Sequence, residues 1–425
     1  MNLLGKFFSK KRIRLWLAFW LDIFIPIRKD RVVFVTRKNV PISGNLRIVA
    51  DVLADHGQHN IGIFKDGSIP ENTIQALQSK GIVVFAGFSF SALRFILSSK
   101  TVFLSHSARD AFLTRRRLGR RVINLWHGVA LKRIELMMKP STDVIKYETR
   151  QKLIRKNAKI YDAMIASSPV DRLVNSCAFG VAFDKVHVTG LPRFDYLDCA
   201  YHLPSDLEIQ AKELDLILGD RQLILYAPTF REAGQSVFHY MDEKCLHQLR
   251  CLCEEKNLVL GIRPHPYEAC SLKKICDGQH ILDLSSINFS EPALLLNRAK
   301  ILIVDYSSIW VDYLVLKRPI LGFLPDFENY SQHDRGFIYS HESIFPGLIK
   351  KSWDEIIFEV EKVVAQNFQL VNSERYVATS AWLLPPASED SSCANACIEL
   401  FFSEIKPKNK TPDQMKFEPS IKEIV

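Results

Sequence analysis

The sequence predicts an α/β protein of two doubly wound domains, each built on a parallel sheet, with a crevice between them. Three observations carry this. Short apolar runs of strand type alternate with segments of helical period. The alternation breaks at YHLPSDL, residues 201–207, and then starts again. Four polar clusters stand where apolar runs end, which is where open α/β sheets bind ligands.

In chain order, the first 31 residues read MNLLGKFFSKKRIRLWLAFWLDIFIPIRKDR. The apolar part, Leu15 to Ile27, is broken by Asp22 and Pro26. It falls short of the ~20 apolar residues a spanning helix needs. A signal peptide would show a small-residue cleavage site after it, and IPIRKDR stands there instead. Lys6, Lys10, Lys11, Arg12 and Arg14 precede Trp16 and Trp20. Cations and indoles beside an apolar stripe suit a helix lying among lipid headgroups. The plainer alternative is a helix packed on the protein's own core.

Strands are then predicted at 30–36, 60–66, 81–87, 100–106, 120–128, 161–169 and 185–195. Helices are expected from Asn45 to His56, near Glu71 to Lys80, and in a basic segment after the pair His127-Gly128. Beyond the break, strands are predicted at 221–230, 257–266, 280–285, 299–308 and 318–326, with helices between them. The division expected is therefore a basic-aromatic, membrane-associating segment over 1–29, a first domain over 30–204 and a second over 205–372. A helical segment over 373–404 and a loose polar tail over 405–425 follow.

Composition narrows the function. The net charge of +9 favours an anionic partner: nucleic acid, phospholipid or a phosphorylated substrate. The 12 tyrosines and 27 phenylalanines lie in core-like runs, not on stacking platforms, so nucleic acid is not expected. Nine cysteines without a CxxC pair point to reduced thiols in the cytoplasm. Cys245, His247, Cys251 and Cys253 sit in an amphipathic helical stretch and read as packed thiols, not as a metal site. The sequence carries no GxGxxG after a strand, no GxxxxGK[ST], no HExxH and no Asp-x-Asp. A dehydrogenase, a P-loop NTPase and a metal hydrolase all lose ground, and neither metal nor cofactor is expected.

The strand-end clusters are His127-Gly128, Thr229-Phe230-Arg231, Arg263-Pro264-His265-Pro266 and Asp305-Tyr306-Ser307-Ser308. Ser307 and Ser308 precede a helical segment, whose free N–H groups would suit a phosphate. Arg231 and Arg263 would add guanidinium forks that match phosphate oxygens. His127 and His265 are the candidate proton carriers, since histidine titrates near neutrality. Gly128 would let the backbone turn sharply and let a ligand approach.

With those residues in place, the sequence resembles the CDP-glycerol glycerophosphotransferase family of teichoic-acid primases and polymerases, also found in capsule synthesis. The likeness runs from about Gly119 to Ile349. It rests on GRRVINLWHGVALKRI, TGLPRFD, YAPTFRE, RPHP, VDYSSIWVDYLVLKRPILGF and DRGFIYSHESIFPGLI, in that order. The resemblance implies a fold similar to GT-B glycosyltransferases, with two Rossmann-like domains around a cleft and no required metal. The first would serve the acceptor and the second the CDP donor. It implies transfer of glycerol phosphate, or a related polyol phosphate, from a CDP-activated donor to a hydroxyl of a lipid-linked anionic acceptor. CMP would leave, at the cytoplasmic face of the membrane.

By that resemblance His127 and His265 match the family's catalytic histidines, and Asp305 to Ser308 match its donor-phosphate segment. Arg263, Thr229 and Arg231 would join them at the donor. Arg193 and Asp195 match its PR-x-D turn and would line the cleft with Gly128 and Lys132. His127 would activate the acceptor hydroxyl. Lys132 and Arg133, with Arg115 to Arg117 and Arg120-Arg121, would draw in an anionic acceptor, unless that run is a solvated loop. The family usually has Thr-Pro after its Trp-His-Gly; Val129-Ala130 stands here, without proline's constraint on the loop. The alternative function is a GT-B glycosyltransferase using a nucleotide sugar for surface polysaccharide, and a non-catalytic anion binder is a further one.

Overall fold

The computed structural model describes residues 10–140, 143–231, 236–264, 269–333, 336–370, 373–386 and 392–402. The expected tail, and His265, lie outside them. The first sheet holds β1 (Arg28–Thr36), β2 (Asn60–Lys65), β3 (Val83–Ala86), β4 (Ser99–Leu104), β5 (Arg121–Asn124), β6 (Ala163–Ala166) and β7 (Val186–Val188). Their order is β3-β2-β1-β4-β5-β6-β7, with every pairing parallel. The second sheet holds β8 (Gln222–Ala227), β9 (Leu258–Ile262), β10 (Ile281–Asp283), β11 (Ala299–Val304), β12 (Ile320–Phe323) and β13 (Leu348–Lys350). Its order is β10-β9-β8-β11-β12-β13, again all parallel.

The expected two-sheet α/β architecture is borne out. The central strands are buried along most of their length, as a parallel sheet covered by helices on both faces requires. Strand order reverses between β1 and β4 in one sheet and between β8 and β11 in the other. Such switch points open a crevice at the carboxyl ends of the strands. Each sheet therefore offers its own crevice, at Thr36 and Ser105 in the first and at Thr229 and Asp305 in the second.

The halves are joined by buried charge. Arg47, on the helix Gly44–Asp55, is fully buried. It bonds Asp51 at 2.7 Å and Asp206, which opens the second half's first helix, at 2.8 and 3.0 Å. The helix Ser373–Leu383 bridges the halves: the Tyr376 hydroxyl reaches the carbonyls of Tyr313 and Leu314, and Leu383 O accepts the Ser167 hydroxyl at 2.6 Å. The chain then returns. Helix Cys393–Phe401 packs on helix Gly44–Asp55, with Phe401 and Phe402 against Phe103 of the first sheet.

Two expectations are corrected. The basic helix does not start directly after His127-Gly128: the segment carrying Lys132 and Arg133 is extended, and a single 3-10 turn, Glu135–Met137, comes before the helix. Residues 129–131 are buried, and Lys132 forms an antiparallel bridge with Phe337. Arg133 N–H donates to Gly336 O and Ile338 N–H to Leu131 O, both at 3.0 Å. Left-handed backbone at Trp126 and Glu135 (φ 48° at each) interrupts any helix, and the strap from the second half supplies the partners instead. The next helix of that half is Val144–Ala158.

The arginine run is not a wholly solvated loop, since most of its side chains have partners within the protein. Arg120 and Arg117 bond Asp22 at 2.7 and 3.2 Å, Arg116 pairs with Asp162 at 2.8 Å, and Arg115 stacks over Phe19. Arg115, Arg117 and Arg120 together seat the N-terminal helix Lys10–Phe24. That helix buries Leu15, Ala18 and Asp22, and turns Trp16, Trp20 and Phe24 outward at 65, 47 and 78% exposure. Among the described residues no helix is long and apolar enough to cross a membrane. The four-residue cysteine–histidine group falls on helix Glu243–Glu255, where Cys245 and Cys253 are buried. Burial pushes their thiols up to about 12 and 11.

Candidate active site

The site starts from Asn124, the last residue of β5. Its Oδ1 accepts the Trp126 N–H at 2.9 Å and its Nδ2 donates to His106 O at 3.0 Å. One side chain thus ties together the ends of β4 and β5. The left-handed turn expected of Gly128 is made by Trp126 instead. It stacks the His127 ring on that of His106, with centroids 4.2 Å apart, and leaves the Trp126 ring 3.8 Å from it.

His127 Nδ1 lies 3.1 Å from Ser105 O. A carbonyl only accepts, so Nδ1 carries the hydrogen and Nε2 keeps its lone pair. Surrounding protein lowers the pKa to about 4, helped by Arg193 and Arg37. His127 is nonetheless an exposed residue. The two cations act in the same downward direction as the crowding. His106, with Nδ1 2.9 Å from the Ser105 hydroxyl, is pushed down to about 2 by burial, His127 and Arg37.

Gly128 matters for space. A Cβ there would stand 3.4 Å from Arg193 Nη2 and 3.5 Å from Ser308 Oγ. The His-Gly segment of the first half therefore meets the Ser-Ser segment of the second. Arg193 fastens the meeting. It bonds the His127 carbonyl through Nη1 and Asp312 at 2.6 Å through Nη2, while its N–H donates to Asn45 Oδ1 at 3.1 Å. Beside them lies a cavity of about 170 Å³ whose lining includes Thr36, His106, His127, Arg193, Glu291 and Asp312. Glu291 accepts the Gly44 N–H across the seam at 2.6 Å. Burial raises the pKa of both acids, Glu291 and Asp312.

At the second switch point, Thr229 N–H donates to both Asp305 oxygens at 2.9 and 3.0 Å. The Thr229 Oγ1 is buried with no hydrogen-bond partner among the described residues. Ser307 and Ser308 are half-buried there, and Ser308 makes no cap bond to the helix Ile309–Tyr313, which is only five residues long.

Several expected site residues are used by the fold instead. Arg231 is 5% exposed and bonds Asp305 at 2.8 Å and Asp326 at 2.7 Å. Burial opposes its charge, but the two carboxylates outweigh burial and raise its pKa. Neither Arg231 nor Asp305 is therefore spare for donor oxygens. Arg263 gives Nη1 to the carbonyls of Leu284 and Phe289, at 3.3 and 2.9 Å, and burial pulls it down to about 10. Asp195 faces away from the cleft. It caps helix Cys393–Phe401, accepting the Ser392 hydroxyl at 2.6 Å and the N–H groups of Cys393 and Ala394 at 2.8 and 2.9 Å. Lys132 reaches the Tyr330 hydroxyl, on helix Phe327–His333, at 3.3 Å, outside the cavity lining. His265 lies outside the described residues. The structure adds His106, Glu291 and Asp312. His106 ends a predicted strand just as His127 does, so its signal was present. Asp312 lay inside an apolar helical run, where nothing marked it.

Two parallel sheets whose switch points flank a histidine-lined cavity define the class, a GT-B-like transferase fold. The chain belongs to the CDP-glycerol:poly(glycerophosphate) glycerophosphotransferase family, whose description it matches over residues 17–382. Family, fold class and enzymatic nature are thus as expected. It is similar to the teichoic acid ribitol-phosphate primase of Bacillus spizizenii, 25% identical over 80% of this chain and 84% of that one. It is also similar to the teichoic acid ribitol-phosphate polymerase TarL of Staphylococcus aureus, 32% identical over 60% of this chain and 45% of that one. The chain spans about half the length of such polymerases or less. A structure of the wall teichoic acid polymerase TagF shares the fold, with TM-score 0.75 and 18% identity over 93% of this chain and 94% of that one.

Proposed function

We propose that the protein transfers a polyol phosphate, glycerol or ribitol phosphate, from a CDP-activated donor to a hydroxyl of a lipid-linked teichoic-acid or capsule-type acceptor. The observation that carries the reading is His127: neutral, with a free Nε2 lone pair, at the seam where both switch points meet. The acceptor hydroxyl attacks the β-phosphorus, and Nε2 takes its proton. A new P–O bond forms as the bond to the CMP oxygen breaks, and CMP leaves with that electron pair. The hydroxyls of Thr229, Ser307 and Ser308 are the described donors best placed for phosphate oxygens. Transfer of this kind depends on positioning and electrostatics. His265 is proposed as a second catalytic group on its motif alone.

The exposed Trp16, Trp20 and Phe24 face supports residence at a membrane surface, the cytoplasmic one, where a lipid-linked acceptor would be met. The test is CMP release from CDP-glycerol and CDP-ribitol with a synthetic lipid-linked acceptor. His127→Ala should lower turnover by roughly 10²–10⁴-fold. Wild-type turnover by that variant would remove the proposed base.

A further inference from the structure

The cavity beside His127 holds more chemistry than one proton transfer uses. His106 and His127 both line it. Their rings stack at 4.2 Å with 19° between their planes. Ser105 orients both. Its hydroxyl lies 2.9 Å from His106 Nδ1 and its carbonyl 3.1 Å from His127 Nδ1. With each Nδ1 engaged, no hydrogen bond among the described residues occupies either Nε2. His127 Nε2 is the proposed base, whereas His106 Nε2 has no task in the transfer. The Ser105 hydroxyl both donates and accepts, so it holds the His106 ring in either tautomer. His106 Nε2 can therefore meet a ligand hydroxyl as acceptor or as donor.

The remaining lining selects the kind of ligand. Both histidines are neutral, because their surroundings push them far below the ordinary histidine range. Two acids, Glu291 and Asp312, face one cation, Arg193. That cation is already taken up by Asp312 at 2.6 Å and by the His127 carbonyl. A phosphate would meet the acids and find no spare guanidinium. A polyhydric alcohol carries no charge and offers each acid a hydroxyl hydrogen. Glu291 takes one N–H on each oxygen, from Gly44 at 2.6 Å and Ala293 at 3.5 Å, and a carboxylate oxygen can accept a further bond. The cavity measures about 170 Å³, where one water needs roughly 10–15 Å³, so a short polyol segment has room. Phosphate has its place next door: Ser308 Oγ lies 3.5 Å from where a Cβ on Gly128 would stand.

We propose that this cavity seats the acceptor's terminal polyol, with His106 and Glu291 holding the hydroxyl next to the one that attacks, so that the site selects an acceptor ending in a vicinal diol. The inference rests on the transfer reaction given above and adds the group that reaction recognises. His127 takes the proton of the attacking hydroxyl. His106, one ring away, holds its neighbour, at which no bond forms or breaks.

The test compares two synthetic lipid-linked acceptors with CDP-glycerol as donor. One ends in glycerol phosphate. The other ends in 1,3-propanediol phosphate, which keeps the attacking primary hydroxyl and lacks its neighbour. Wild type should favour the glycerol end by roughly tenfold or more in kcat/KM. His106→Phe keeps a flat ring against His127 and removes the hydrogen bond. It should bring the ratio between the two acceptors close to one, whatever it does to the absolute rates. A fall of both rates together, with the ratio intact, would make His106 a mere support for His127 and overturn the inference. Equal kcat/KM for the two acceptors in wild type would overturn it without any variant. A preference that follows the donor instead, CDP-glycerol over CDP-1,3-propanediol with the acceptor held constant, and that His106→Phe abolishes, would give the cavity to the donor's polyol and overturn the acceptor. Absence of CMP release with every acceptor would remove the transfer reading and the pocket with it, whereas release at equal rates removes the pocket alone.

Discussion

A proton acceptor needs a lone pair aimed at its substrate and a pKa below the working pH. His127 gets the first from Ser105, whose carbonyl holds the hydrogen on Nδ1. It gets the second from crowding, Arg193 and Arg37. The acid limb of kcat/KM should therefore fall near pH 4 instead of the 6.5 of an ordinary histidine, with a flat profile above. A limb near 6.5 would contradict the environment described. The same depression acts on folding: the unfolded ring binds its proton more tightly, so this contribution to stability is complete above pH 6.5 and is lost as pH falls through about 4. Three residues on, Ala130 stands where the family usually has proline. Its N–H, which proline lacks, bonds the buried Asp171, whose carboxyl burial pushes up to about 6. Val129 and Ala130 are 3 and 6% exposed, so the loop is packed in place of the looser one its missing proline implied. His127 and Gly128 were legible because a polar pair ended an apolar run. The commitments of Arg231 and Asp195 were not, because their partners, Asp326 and Ser392, lie 95 and 197 positions away.

Among the elements, the N-terminal helix shows why an acid interrupts an apolar stretch. Asp22 is 4% exposed and receives Arg120, itself 4% exposed, and Arg117. Removing one partner of a buried pair strands the other charge. Asp22→Ala should cost about 3 kcal/mol in urea unfolding and speed hydrogen exchange along Lys10–Phe24. Asp22→Asn, which keeps an acceptor, should cost less. Equal stability for all three proteins would mean that the helix is held by its apolar side alone. Buried parallel strands were easy to read, because burial on both faces makes them continuous apolar runs. The three-residue β13 and the extended strap partner at 129–134 were not, because each is defined by a pairing distant in the chain.

For the whole molecule, the cleft is held by a few charges that cross it. Arg193 joins the catalytic segment's carbonyl to Asp312 of the second half, and the Arg193 and Asp312 side chains are 15 and 9% exposed. Arg193→Ala should lower stability by about 3 kcal/mol and depress kcat, since the buried acid loses its partner and the segment its anchor. Arg193→Lys should recover little, because a point charge cannot bond both groups at once. Full activity in Arg193→Lys would show that charge, and not the two-pronged grip, is what the site needs. The doubly wound halves and their shared crevice were visible in the strand-end clusters, whereas these crossing bonds depend on how the halves dock.

Helix Cys393–Phe401 comes after the second sheet in sequence yet belongs to the first in space, capped there by Asp195 and covering Phe103. The polypeptide is thus stitched through its own waist, out and back. Ribosomal synthesis must pass Phe402 before the first half has all its packing. A cut at the waist would free neither piece as a self-sufficient unit.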